Sequence, residues 1–190
     1  MKVFIQSIVA QILLNPYIFW RGYQAIPPQK SWRIPYVLFF ILELSLFFFG
    51  FTFRNVLPDS VMIAIQYICN TWYIASIYIT LSLLVLEVLR LSNRFFHWFP
   101  GWMTGHWKQT KLTLFFLIIA IVTGLMFHAY HVVAYPIVKD VYVTLPKGSS
   151  ERDSMTIVMM SDLHIGEMIG KELVQRYVKM SNEQHPDMVV

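Results

Sequence analysis

Residues 36–53 run for 18 positions with a single charge, Glu43. Two further runs share this character: residues 61–89, whose one charge is Glu87, and residues 112–133, which hold no Asp, Glu, Lys or Arg. No other feature restricts the chain so severely. About 20 apolar residues in a helix match the roughly 30 Å hydrocarbon core of a bilayer. In lipid every backbone N–H and C=O must be paired within its own segment, which leaves helices as the solution for single runs. The 29-residue run 61–89 exceeds that thickness and has to tilt or project. A fourth run, residues 3–20, is more polar and contains Gln6, Gln11, Asn15 and Pro16. Its 18 residues stand near the lower limit for a span. A signal peptide is the competing reading; it is disfavoured because only Lys2 precedes the run and no small-x-small site precedes Trp20 and Arg21. Gln6, Asn15 and Pro16 are expected to face neighbouring helices.

Only 14% of the 190 residues are charged, against roughly 25% in soluble domains, and the deficit lies in residues 1–135. The net charge of +4 does not point to nucleic acid, because most basic residues flank the apolar runs. Arg21, Lys30, Arg33, Arg90, Arg94, Lys108 and Lys111 occupy the first and third loops, whereas the N-terminus and second loop offer Lys2 and Arg54. The excess of basic residues on cytoplasmic loops then places the first and third loops inside and everything after Tyr135 outside the cytoplasm. Should the first run not cross, the last three keep this orientation. Glu43 is expected to be hydrogen-bonded within the bundle, with a transport role as the alternative. Glu87 and Arg90, at i,i+3 spacing, are expected to pair at the interface. Trp98, Trp102 and Trp107 read as an interfacial aromatic belt, with a lipid-headgroup site as the alternative. His128 and His131 read as polar packing rather than metal ligands, and the single Cys69 excludes an intrachain disulfide.

From about Lys139 the composition becomes that of a soluble domain. Residues 138–145 alternate in part and are expected to form a strand close to the membrane; residues 146–153 read as a turn. Residues 156–160 then form an apolar, non-alternating run, expected to be a strand buried on both faces as in a parallel sheet. It leads directly into Ser161-Asp162-Leu163-His164-Ile165-Gly166. Chemistry in open α/β sheets collects at the carboxyl ends of strands, and a carboxylate and an imidazole two residues apart can reach one divalent metal. Leu173, Val174, Tyr177, Val178 and Met180 give residues 171–183 an apolar helical face, and His185-Pro186-Asp187 turns into the apolar Met188-Val189-Val190.

Taken from Ile157 to Val190, this order resembles the opening of calcineurin-like metallophosphoesterases, whose first motif is Asp-x-His after a buried strand. Several membrane helices followed by such a domain, together with Tyr17-Ile18-Phe19-Trp20-Arg21-Gly22, resemble the membrane-anchored bacterial branch of that family. The resemblance implies an α-helical membrane bundle of about four spans over residues 1–135, followed by the start of an α/β metallophosphoesterase sandwich over residues 136–190. It implies that Asp162 and His164 ligate one ion of a two-metal centre of Mn, Fe or Zn. It implies a phosphoester or pyrophosphate substrate, a small molecule or a lipid, and a Gly-Asp motif, further ligands and the general acid beyond Val190. Asp187 then reads as a structural turn residue and His185 as exposed. About 50 soluble residues are fewer than the on the order of 100 that an independent α/β domain needs, so the chain is expected to be part of a longer protein and inert by itself. A non-catalytic membrane sensor or scaffold, and a transporter-like bundle using Glu43 with His128 and His131, are the alternatives. The orientation can be checked with a reporter that is active only outside the cytoplasm, fused after Lys147: it is expected to be active, and silence with good expression overturns the outward placement.

Overall fold

Each apolar run is a helix, and each helix is longer than the run that announces it. The computed structural model describes residues 2–144, 154–161, 163 and 170–190. In chain order, α1 spans Lys2–Ala25, α2 Lys30–Thr52, α3 Asp59–Phe96, α4 Gly101–Gly105 and α5 Trp107–Ala134. The elements after them are β1, Ile157–Val158; α6, Lys171–Glu183; and β2, Met188–Val189. Among the described residues, α2, α3 and α5 are long and apolar enough to cross a membrane. The expected fourth span is a helix of 24 residues, α1, but Gln11, Asn15 and Pro16 lie within it and it does not join that set. At about 1.5 Å per residue, the 38 residues of α3 reach ~57 Å, well beyond the hydrocarbon core.

Local chemistry explains the ends. Pro27 and Pro28 close off α1, and extended Gln29 precedes the first turn of α2. Pro58 precedes α3, whose first turn holds Asp59 against the positive end of the helix dipole. At its far end His97 turns left-handed, with φ 49°, and donates its N–H to the Asn93 carbonyl at 2.9 Å. Asn93 also accepts the Phe99 N–H on its Oδ1 at 2.6 Å, which fixes the chain before Pro100 and α4.

The described residues up to His128 form one unit and those from Ala129 to Val190 another. In the first, the buried apolar side chains are Ile18, Ile26, Met62, Ile65 and Val122, and none is fully enclosed. Leu42 (60% exposed), Val88 (65%) and Phe127 (72%) typify the outer surface. So much bare apolar surface would aggregate in water; lipid is the solvent that suits it. This is a membrane protein.

Helices in lipid gain nothing from burying apolar faces against each other, so they meet where small residues permit close approach. A Cβ on Gly22 of α1 would lie 2.8 Å from Tyr36 Cζ and 3.1 Å from Phe115 Cε2, with the Tyr36 hydroxyl nearer still. That hydroxyl donates to the carbonyls of Phe19 and Ile18, at 3.0 and 3.2 Å. A Cβ on Gly50 of α2 would lie 2.7 Å from Ile65 Cγ2 on α3. Around these approaches the rings of Phe19 and Phe40 (5.3 Å), Phe40 and Trp72 (5.6 Å), and Tyr36 and Phe115 (6.2 Å) interlock.

In the second unit β1 pairs with β2 in parallel, Ile157 opposite Met188 and Val158 opposite Val189, with α6 between them in the chain. The expected strand over residues 138–145 is absent among its described residues: 138–144 are irregular, and Tyr142 is 92% exposed. Partial alternation gave it strand character, but among the described residues no strand pairs with it. Nor is β1 covered on both faces. Ile157 and Met159 are exposed while Val158 and Met160 are half-buried, the pattern of a strand covered on one side. The expected sandwich is thus represented by a two-stranded sheet with one helix.

Gly22 and Gly124 give a matched test of the packing. Nothing lies within 4 Å of a Cβ placed on Gly124. Gly22→Ala is expected to destabilise the detergent-solubilised protein by about 1–3 kcal/mol through overpacking, whereas Gly124→Ala is expected to be neutral or to add up to about 1 kcal/mol of helix propensity. Thermal denaturation followed by tryptophan fluorescence reads both.

Candidate functional site

Asp162 and His164, the expected metal ligands, lie outside the described residues, as do Gly166 and Glu167. What the structure describes is the frame that delivers the chain to them. The Met160 N–H donates to the Val190 carbonyl and the Val190 N–H to the Val158 carbonyl, each at 2.9 Å. The ladder therefore extends past β1 to Met160, and Ser161 follows as an exposed residue. At the opposite end Asp187 clasps Thr156. Its N–H donates to the Thr156 carbonyl at 2.9 Å, and its Oδ2 accepts the Thr156 N–H at 2.9 Å. Asp187 thus has the turn-holding part expected of it. Exposed His185 takes a left-handed conformation, φ 47°, one residue beyond the α6 cap and just before Pro186, where helices are commonly reversed. Leu173, Val174, Tyr177 and Met180 of α6 are half-buried, Ser181 is buried, and Val178 is exposed. The last turn of α5 is tied to α6 by Arg176, whose Nη1 donates to the Ala134 carbonyl while its guanidinium lies 5.2 Å from the Tyr135 ring centre. A cation on the carbonyl end of a helix complements its dipole.

The first unit contains a second concentration of polar chemistry. Glu43 of α2 is only 3% exposed. Its Oε1 accepts from Gln11 Nε2 and its Oε2 from Asn15 Nδ2, both at 2.9 Å. Asn15 Nδ2 also donates to Gln11 Oε1, and Asn15 Oδ1 accepts the Trp72 indole N–H at 3.0 Å. The cluster joins α1, α2 and α3 by side-chain hydrogen bonds. Glu43 therefore has the hydrogen-bonded place within the bundle that its isolated charge implied. Gln11, Asn15 and Glu43 are each legible in the sequence as polar residues in apolar runs; the part of Trp72 follows only once α1 and α3 are seen to flank α2.

Toward the other end of the bundle Glu87 pairs with Arg21 of α1, not with Arg90 as the i,i+3 spacing implied. Arg90 instead lies over the Trp107 ring at 5.9 Å. Arg21 belongs to a helix 66 positions away in the chain, a partner that local spacing cannot reveal. His128 and His131 are both exposed, and His131 stacks on Tyr135 with ring centres 4.7 Å apart. Among the described residues no three His, Cys, Asp or Glu side chains are grouped to hold a metal.

Comparison with known proteins finds two similar curated sequences. A Danio rerio protein named as a transmembrane protein with metallophosphoesterase domain is 27% identical over 98% of this chain and 44% of its own length. A Caenorhabditis elegans protein, whose name is that of a metallophosphoesterase, is 24% identical over 80% of this chain and 32% of its own. The chain therefore spans less than half the length of each relative. Both are animal proteins, so the bacterial placement drawn from the sequence finds no support in them. No family model matches, and no solved structure matches.

Replacing Glu43 by Leu leaves the buried Gln11 and Asn15 amides without their acceptor, at about 1–3 kcal/mol. Glu43→Leu is expected to lower the thermal midpoint of the solubilised protein by several degrees, and Glu43→Gln, which keeps one acceptor oxygen, by less. Equal stability of all three proteins would show that the cluster does not hold the helices.

Proposed function

We propose that this chain carries the membrane anchor and the first metal-binding motif of a metal-dependent phosphoesterase, which hydrolyses a phosphoester or pyrophosphate of a small molecule or a lipid. One observation carries the proposal: an Asp-x-His sequence directly follows a strand that pairs in parallel with β2 across an intervening helix, the order in which such enzymes begin. The names of the two relatives, which join a transmembrane region to a metallophosphoesterase domain in one case and specify a metallophosphoesterase in the other, support the same reading.

In this proposal Asp162 and His164 hold one ion of a two-metal centre. Carboxylate with imidazole is a donor set suited to Mn, Fe or Zn. When bound, the metal pair supplies Lewis-acid activation of water and stabilises charge on the phosphoryl oxygens. The contribution of this chain is positional. The Met160–Val190 and Val190–Val158 hydrogen bonds fix the backbone that precedes Asp162, and the Asp187–Thr156 clasp fixes the start of β1. Arg176 ties α6 to the end of α5, so that the catalytic strand starts from an anchored support. The bias of basic residues toward one set of loops supports an extracytoplasmic position for this domain. A membrane anchor with a phosphoesterase attached to it suits a substrate held in the bilayer; lipid bilayer and phosphorylated substrate are the partners proposed, with nucleic acid excluded from the reading.

The test is a phosphomonoesterase, phosphodiesterase and pyrophosphatase assay on the full-length protein with added Mn or Zn. Metal-dependent turnover is expected, reduced at least about a hundredfold by Asp162→Asn and by His164→Ala, with bound metal lowered in parallel. Unchanged activity and unchanged metal content in both variants would reject the assignment.

A further inference from the structure

We propose that the cleft formed by the end of α3, the loop after it, α4 and the start of α5 binds the phosphate of an anionic lipid headgroup. The site belongs to the helical unit alone and does not depend on what the soluble unit hydrolyses.

The cleft is about 490 Å³ and is lined by Glu87, Arg90, Arg94, Asn93, Thr104 and Trp107 among others. Its polar groups are not equally available. Glu87 is engaged by Arg21. Asn93 Oδ1 is taken by the Phe99 N–H at 2.6 Å, and the Thr104 hydroxyl donates to the Gly101 carbonyl at 3.2 Å. Arg90 and Arg94 remain. They stand at i,i+4 on one face of α3, both exposed, and neither has a carboxylate within ion-pair distance among the described residues. Lys111 approaches the same Trp107 ring as Arg90, at 6.0 and 5.9 Å, so a third cation stands beside the pair. Two guanidinium forks lining one cleft, with the Lys111 ammonium near the Trp107 ring that walls it, form a donor set matched to phosphate oxygens.

Depth selects the source of that phosphate. Arg21, Arg33, Arg90 and Lys111 are the basic residues nearest the apolar runs of α1, α2, α3 and α5 at this end of the bundle, the level at which hydrocarbon gives way to headgroups. Phe95, Phe96, Trp98 and Trp102 are 70%, 77%, 50% and 68% exposed on the segment beyond Arg90. Such side chains are at home in the interfacial layer rather than in bulk water. From the cleft, Leu91, Val88 and Leu84 run toward the membrane interior at i,i+3 and i,i+4 spacing, 59%, 65% and 49% exposed. A headgroup phosphate between Arg90 and Arg94 leaves its acyl chains on that stripe. A soluble phosphate would use the cations and leave the stripe idle.

The test is native mass spectrometry of the intact protein released from micelles containing equal phosphatidylglycerol and phosphatidylcholine. Preferential retention of phosphatidylglycerol is expected. Arg90→Gln with Arg94→Gln is expected to cut that preference roughly 25-fold, about fivefold for each cation facing an anionic surface, while Arg90→Lys with Arg94→Lys keeps most of it. Equal retention of both lipids, or a preference untouched by the double glutamine variant, overturns the proposal. Millimolar inorganic phosphate or glycerol 3-phosphate is expected not to displace the lipid; displacement by either would assign the cleft to a soluble phosphate instead. Should the glutamine variant not fold, the unaltered protein still decides the matter. Bromine-labelled phosphatidylglycerol should quench tryptophan emission more than bromine-labelled phosphatidylcholine, an excess lost in Trp107→Phe, and equal quenching by both lipids counts against the site.

Discussion

A single carboxylate holds the helical unit in register. Glu43 sits 3% exposed on α2 and accepts from Gln11 and Asn15 of α1, while Asn15 accepts in turn from Trp72 of α3. In water such a cluster contributes modestly, because each group can be hydrated instead. In a bilayer no water competes, and an isolated α1 would present two bare amides to hydrocarbon. The same feature that weakens α1 as an independent span therefore binds it to its neighbours. Close approach at Gly22 and the interlocked rings of Phe19, Tyr36 and Phe40 then add contacts that the polar cluster has positioned.

The Arg21–Glu87 pair extends this logic toward the basic end. It lies one turn beyond Ile18 and next to Gly22, so α1 is joined to α3 by charge near its end and by hydrogen bonds along its length. Occupying Glu87 in this way has a second effect. It withdraws the one acid from a surface otherwise lined by Arg90 and Arg94, leaving that surface cationic. An i,i+3 pair between Glu87 and Arg90 would have left Arg94 as its one unpaired cation.

How much of this the chain disclosed beforehand follows from the range of each interaction. Runs 61–89 and 112–133 lie within helices, and run 36–53 does so up to Thr52, because composition alone dictates helix in lipid. Their ends escaped, since α3 continues to Phe96 through polar residues that helices tolerate once outside hydrocarbon. The buried role of Glu43 was legible as an unaccompanied charge; its partners were not, being 28 and 32 positions away. The expected strand over residues 138–145 failed because alternation describes a side-chain pattern, whereas a strand needs a partner. The parallel pairing of β1 with β2 was legible through the helix between them. Asp162 and His164 lie outside the described residues, so the strand and its ladder are what the structure adds to them.

The ladder also bears on why a catalytic motif would be built in this way. β1 and β2 are two residues each, too small a sheet to be stable alone, and their outer face is open, with Ile157 54% and Met188 47% exposed. Such a sheet is ordered by what is attached to it. In this chain the attachments are specific: the Asp187 clasp at one end, the extra Met160–Val190 hydrogen bond at the other, and Arg176 joining the crossover helix to the last turn of α5. The two-stranded sheet is thus held at both ends of its ladder, and its crossover helix is tied to the Ala134 carbonyl that closes α5, so the order a small sheet cannot supply for itself comes from these three attachments within its own unit.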